Sequence, residues 1–337
     1  MRAHLAIAAA LLVVGAPVSD AYHILQHVNP SGSVVELSWP ASDFPVSYFV
    51  NNRQPLDFSL QDAVDAVGRS FQAWENVETS QIAFQFSGTT SAKPFEFFDG
   101  HSTLGFTDDP DLATPGVLGA TLQVIDIFSG DIVEADIFFS ERFVWSVDPN
   151  GDPNAFDFEG TATHEIGHFL GLDHSHVGFM ESDPDGGRSL VAGASVMYPF
   201  AFEPGDVTGR ILTDDDEAGI SAIYPSGSFT QLTGSIAGRI TKGGGGVAFA
   251  HVVAFNPFTG QTIGAFADRS GSYEIRGLSP GPHTVRVNPI TDPASPPDFG
   301  FPSFLTDLDY RDALFQAGRA EVISSRTTSG IDIEVQP

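Results

Sequence analysis

Between Leu60 and Trp74, apolar residues recur at spacings of four, three, four and three: Leu60, Val64, Val67, Phe71 and Trp74. Positions three and four apart lie on one side of an α-helix. The stretch therefore predicts a helix with one face in a core. Ser59 ahead of it suits an N-cap, and Asp62 puts a carboxylate in the first turn, where the helix dipole favours one. Ile82 to Ser87 alternates apolar and polar residues and predicts a strand. Val35 to Val50 reads as extended, broken by Pro40 and Pro45. Val117 to Asp126, the turn Ser129-Gly130, and Ile132 to Phe139 predict a hairpin. A polar loop from Pro149 to Asp157 leads into a helix from Phe158 to Leu172. Thr213 caps a last helix through Ala222.

Near Pro225-Ser226-Gly227-Ser228 the pattern changes. Beyond it come short strands separated by turns: Gly234 to Ile240, Ala250 to Phe255, Ile263 to Ala267, Tyr273 to Ile275 and Thr284 to Val287. Such spacing predicts a β-sandwich. Asp292 to Phe315 interrupts it with Phe299, Phe301, Phe304 and Tyr310, aromatics read as packing over the sandwich rather than binding a polymer or partner. The division expected is a segment 22–33, an α+β domain over 34–225, a linker 226–232 and an all-β domain over 233–337, each long enough to bury a core.

Residues 1–21 have the form of an export signal: Arg2, an apolar stretch from Leu5 to Val14, and a small-x-small site at Ser19-Asp20-Ala21. The apolar stretch is too short to cross a bilayer. This predicts a secreted product, extracellular or periplasmic, with no membrane anchor. The formal charge of -28, from 43 acidic and 15 basic residues, argues against nucleic acid and anionic membranes as partners. The absence of cysteine excludes disulfides and thiol catalysis.

The chemistry concentrates in His164-Glu165-Ile166-Gly167-His168-Phe169-Leu170-Gly171-Leu172-Asp173-His174. His164 and His168, four apart on a helix, point the same way and suit one cation. Gly171 can take positive φ, end the helix and return His174 to the same ion. Three nitrogens with one open position is the arrangement of catalytic zinc. Glu165 adjoins it as a general base. Of the three methionines in the chain, Met197 stands in Ser195-Val196-Met197-Tyr198-Pro199, downstream of the ligands, as the extended motif requires.

His164 to Ser175, HEIGHFLGLDHS, with Met197-Tyr198-Pro199, resembles the matrixin branch of the metzincins. Val35 to Val50, Glu134 to Phe139 and Leu212 to Tyr224 are similar to other parts of that family. The resemblance implies a zincin fold, a twisted mixed sheet with three helices, and a zinc endopeptidase acting on a protein or peptide substrate. It makes Met197 an apolar floor. Leu118-Gly119-Ala120-Thr121-Leu122 becomes an edge strand above the cleft on which a peptide can pair, chiefly at Leu118, Gly119 and Ala120, with Tyr198 and Pro199 lining the pocket. Asp215 and Asp216 match an acidic pair supporting the Met turn, while Asp214 or Glu217 faces solvent.

The family's second zinc is expected to be absent, because Phe138 stands where the family has a ligating His; Ser140 and Phe143 stand where it has acidic calcium ligands. Asp108, Asp109 and Asp111 read as a solvated acidic loop, with calcium as the alternative. His23 and His27 read as solvated. Ser175 to Ala194 is longer than the family's connection, with a turn at Asp183 to Gly187. His176 competes with His174 but lacks its spacing. Asp268 to Gly281 resembles the carboxypeptidase regulatory-like module, with Ile331 to Val335 as its last strand. Two alternatives to a general endopeptidase are a protease restricted to itself or one partner, and a catalytically silent surface-binding scaffold. Oligomeric state is not legible.

Overall fold

The computed structural model describes residues 23–53, 57–96, 98–182, 188–192, 195–200, 203–291 and 294–337. The proposed export signal and the turn at 183–187 lie outside the described residues.

The first domain is a five-stranded mixed sheet with helices packed on it. Its strands are β3 (Val46–Asn51), β4 (Phe84–Thr90), β5 (Thr103–Thr107), β6 (Gly119–Ile125) and β7 (Ile132–Ser140), in the order β4-β3-β5-β7-β6. Ahead of them, β1 (Gln26–Val28) and β2 (Val34–Glu36) form a separate pair. All pairings in the sheet are parallel except that of β6 with β7. That antiparallel hairpin puts β6 at the sheet's edge, with one side unpaired among the described residues.

Helix α1 (Leu60–Glu75) begins at Ser59, whose side chain accepts from the Asp62 N–H while the Asp62 carboxylate accepts from the Ser59 N–H. Its apolar face carries Val67, Phe71 and Trp74 into a core shared with α2 (Phe158–Phe169) and Phe139. The Trp74 indole N–H bonds the Thr163 carbonyl at 2.9 Å, and that of Trp39 bonds the Phe169 carbonyl at 2.9 Å. These bonds let two large rings sit in the interior without an orphaned donor. The first strand after α1 starts at Phe84 rather than Ile82: Ile82 is buried in the domain's hydrophobic core, and the Gln81 N–H is taken by the Tyr224 carbonyl.

Asp157 caps α2 through the Gly160 N–H at 2.7 Å and is itself paired with Arg210. The helix stops at Phe169, shorter than the pattern suggests, because Gly171 turns the chain at φ +96°. A β-carbon there would meet the Leu37 carbonyl at 2.2 Å, so conformation and space both require glycine. Helix α3 (Asp214–Ile223) follows with a Thr213 cap.

Residues 226–232 are not a free spacer. They hold a single helical turn, Phe229–Leu232, with Phe229 buried. The second domain has two facing sheets. In one, β8 (Gly234–Lys242) pairs antiparallel with β11 (Ser272–Leu278), and Thr327–Thr328 and Ile333–Glu334 lie parallel to β8. In the other, β9 (His251–Phe255) lies between β10 (Thr262–Phe266) and β12 (Gly281–Asn288), all antiparallel. Their inner faces enclose Ile236, Ile240, Val252, Ile275 and Val285.

The sandwich docks on α3. The Gly264 N–H bonds Asp215 Oδ1 at 2.8 Å. Ala218 of α3 belongs to the sandwich core, and Tyr198 joins an aromatic cluster with Phe249, Phe266, Phe299 and Phe301. Phe299, Phe301 and Tyr310 are buried, whereas Phe304 is 86 % exposed.

Candidate metal centre

Helix α2 brings His164 and His168 onto one face, and the chain beyond Gly171 returns His174 to them. One ligand nitrogen from each ring lies within 4.8 Å of those of the other two, and the Nε2 atoms of His168 and His174 are 3.2 Å apart. Every Nδ1 faces a backbone carbonyl: His164 that of Val196 at 2.7 Å, His168 that of Leu172 at 2.8 Å, His174 that of Asp298 at 2.6 Å. A carbonyl only accepts, so Nδ1 carries the proton and the Nε2 lone pairs are left to converge.

Burial, reinforced by the neighbouring imidazoles, holds His164 well below its ordinary pKa and brings His168 down to about 4. Neutral rings are what a cation needs. Three converging imidazole nitrogens, each backed by an acceptor, fit zinc. Among the described residues this is the one cluster of three such side chains close enough for a metal. His176 is not part of it. It lies buried between the domains, with its Nε2 accepting from the Thr291 N–H at 3.4 Å.

Glu165 is buried beside the ligands, and burial pushes its pKa up to about 7, against the opposing hydrogen bond from Thr121. The Thr121 hydroxyl lies 2.9 Å from Glu165 Oε2 and 2.8 Å from the Glu165 carbonyl. Gly119 keeps the approach open, since a β-carbon on it would come within 3.2 Å of Glu165 Oε1. Edge strand β6 thus both orients the carboxylate and leaves room before it.

Beneath the ligands lies Met197, buried against α2. A β-carbon at Gly167 would meet its sulfur at 2.1 Å, so the glycine between Ile166 and His168 makes space for this floor. Asp216 holds the turn, accepting from Ser195 Oγ, from the Val196 N–H at 2.9 Å and from the Met197 N–H at 3.2 Å. Asp215 does not touch that turn. It accepts from Ser175 Oγ at 2.6 Å and from the sandwich at Gly264, so the expectation that both aspartates support the Met turn holds directly only for Asp216. Asp214 and Glu217 are exposed.

Leu118, Gly119, Ala120, Tyr198 and Pro199 all border one cleft of about 1370 Å³, with His164, Glu165, His168 and His174 along it. Tyr198 is buried and belongs to the seam between the domains as much as to the pocket. His23 is not solvated as expected. Its Nδ1 lies 3.1 Å from Asp173 Oδ2, and its ring packs on Phe301 at 5.0 Å.

Where the sequence suggested calcium, Asp108 pairs with Arg53 at 3.2 Å, and Asp109 accepts from the Asp111 N–H. Phe138 packs edge-on against Phe95. The loop between β4 and β5 is tied to β7 by Glu134, which accepts from the Phe98 and Gly100 N–H groups, and by Asp136, which accepts from those of Phe95 and Thr103. The sequence pattern placed Thr121, Glu134 and Asp136 on strands without showing these roles, and it gave no sign of the Asp298 carbonyl. Alternation along β6 could have flagged Thr121, two residues from Gly119. A backbone carbonyl contributed from the other domain leaves no trace in sequence.

A mixed sheet with an antiparallel edge strand over an H-E-x-x-H helix, a third histidine beyond a glycine turn and a methionine beneath defines a metzincin-type metal centre. Residues 38–181 match the family model described as matrixin, and residues 235–291 match that of the carboxypeptidase regulatory-like domain. The chain thus contains a matrixin domain followed by a carboxypeptidase regulatory-like domain. It is 29% identical over 200 residues to Metalloendoproteinase 2-MMP of Arabidopsis thaliana, covering 56% of this chain and 43% of that protein. To the interstitial collagenase of Oryctolagus cuniculus it is 29% identical over 191 residues, covering 56% and 34%. The chain therefore spans less than half the length of these curated relatives. Among solved structures, the Bacillus anthracis TIE protein aligns over 31% of this chain and 16% of its own, at 16% identity and a TM-score of 0.21. That likeness is too slight to carry an argument.

Proposed function

We propose that this chain is a secreted zinc-dependent endopeptidase with Glu165 as its general base. The observation that carries the reading is the convergence of three Nε2 atoms, each backed by a carbonyl on Nδ1, beside a buried carboxylate. Bound zinc would supply Lewis-acid activation of water and of the scissile carbonyl.

The protein's part follows from its residues. An extended peptide pairs its backbone with the free edge of β6 around Gly119 and Ala120. Glu165, steered by Thr121, takes the proton of the attacking water and delivers it to the leaving nitrogen. His164, His168 and His174 each keep a proton on Nδ1 against a backbone carbonyl, which leaves Nε2 free to ligate. Tyr198 and Pro199 line the cleft beside the reacting bond. Residues 1–21 support export, and a mature chain beginning near Tyr22 is the form expected outside the cell. Calcium remains a proposal only for the Asp108 to Asp111 loop.

The test uses the purified chain with unfolded casein, with and without a chelator. Chelator-sensitive cleavage at many sites is expected. Cleavage of the chain's own loops alone indicates a self-processing enzyme, and no cleavage indicates a silent scaffold. Glu165→Ala should retain zinc and lose about 10²–10⁴-fold in turnover. Proteolysis at the wild-type rate by a zinc-loaded Glu165→Ala chain refutes the assigned base.

A further inference from the structure

Two ligand rings are oriented from within their own domain: His164 by the Val196 carbonyl and His168 by the Leu172 carbonyl. His174 is oriented from the other domain. The acceptor on its Nδ1 is the Asp298 carbonyl, 124 residues further along the chain. It lies in the turn Pro296–Phe299, inside the insertion that interrupts the sandwich.

That turn is built to hold a carbonyl still. Ser295 caps it, with its N–H and hydroxyl both on Asp298 Oδ2 at 2.7 and 2.6 Å. Prolines occupy its first two positions, and Gly300 ends it in left-handed backbone at φ +67°. Phe299 is wholly buried against Phe266 and His176, and Phe301 stacks on Phe249 at 4.4 Å. The ligand is steadied from its other side too, since neighbouring Asp173 is held by His23, whose ring leans on Phe301.

We propose that the carboxyl-terminal sandwich is a positioning element of the metal centre, its Asp298 carbonyl fixing His174 with the proton on Nδ1 and Nε2 toward the ion. The inference rests on the zinc reading above. Without that acceptor, nothing on Nδ1 decides which nitrogen carries the proton, and a protonated Nε2 cannot ligate. Loss of such an outer partner weakens metal binding by about 10–100-fold. Linkage then requires the reverse effect: zinc binding strengthens docking of the sandwich by the same factor.

The test uses the full chain in three forms: wild type, Gly300→Val and Gly300→Asn. A β-branched residue does not accept left-handed backbone, whereas asparagine does, and the space around Gly300 is open. Valine therefore shifts the turn and asparagine restores it. Zinc affinity is measured by chelator competition. Histidine proton placement is read by nitrogen-15 NMR of the metal-free chains.

Gly300→Val should bind zinc about 10–100-fold more weakly. It should also lose the hydrogen-bonded Nδ1–H signal of His174 while keeping those of His164 and His168, and Gly300→Asn should restore both. If Gly300→Val does not fold cooperatively, Ser295→Ala removes one cap bond and should move the same two readouts in the same direction by less. The proposal is overturned if wild-type His174 carries its proton on Nε2, if all three histidine signals move together, or if zinc affinity is unchanged after the His174 signal is lost. A wild type that takes up no zinc refutes the zinc reading itself, whereas normal zinc binding by a Gly300→Val chain that has lost the His174 signal refutes only the positioning role.

Discussion

At the scale of single residues, the centre depends on which atom each side chain is allowed to use. Carbonyls on three Nδ1 atoms leave three Nε2 atoms for a cation. Thr121 does the corresponding work for Glu165, with one hydroxyl between the carboxylate and the helix backbone. Thr121→Val keeps the shape and removes that bond. It should lower kcat about 10-fold with little change in KM, because the misaimed group acts only in the transition state; steady-state kinetics on a peptide substrate decide this, and a pure KM effect would count against it. The ligands, Glu165 and Met197 were legible in sequence because their spacing is set by helix geometry and a glycine turn. The role of Thr121 was not, because its partner Glu165 lies 44 residues further along the chain, on α2.

At the scale of elements, α2 is held by what surrounds it. Gly167 admits the Met197 sulfur, and Asp216 fixes the turn that carries it. Gly167→Ala adds a methyl where the nearest atom would be 2.1 Å away. Overpacking of that kind should destabilise the chain by about 1–3 kcal/mol in urea unfolding. The loop before β5 shows another device. Asp136 and Glu134 accept four backbone N–H groups, so two carboxyl side chains on β7 shape the segment that leads into β5. Asp136→Leu removes the acceptor of the buried Thr103 N–H and should cost about 1–3 kcal/mol; hydrogen exchange at Thr103 should rise first. Periodicity made α1 visible, and the Ser129-Gly130 turn between two extended stretches marked β6 and β7. The ends of α2 and β4 were misjudged because Gly171 and the Tyr224 carbonyl, not local pattern, set them.

At the scale of the molecule, the two domains share a cleft and a seam. The division near residue 225 was legible in composition, but the docking was not, because α3, Tyr198 and the Phe299 cluster meet only in three dimensions. His176 and His251 face each other in that seam at 5.1 Å. Burial first, with neighbouring positive groups, brings His176 down to about 4 and His251 well below its ordinary range. Both pKa values are lowered in the folded state, so the unfolded chain takes up protons first as pH falls. Their contribution to stability is present above about pH 6.5 and is lost on acidification toward pH 4. Asp215, pushed up to about 7 by burial, acts in the opposite sense and weakens the fold as pH rises from about 4 to 7. The histidine part is isolated by comparison: between pH 7 and 5, Tm should fall less in His251→Gln than in wild type, and equal slopes would contradict the assignment.

On the proposed function, His164, His168 and His174 hold one zinc with a position left open. Zinc-edge X-ray absorption on the purified full chain, together with metal counting, reads this without relying on turnover. One zinc per chain is expected, bound by three imidazoles and one oxygen donor from solvent. A folded chain with no tightly held zinc, or zinc bound by fewer than three imidazoles, would contradict it.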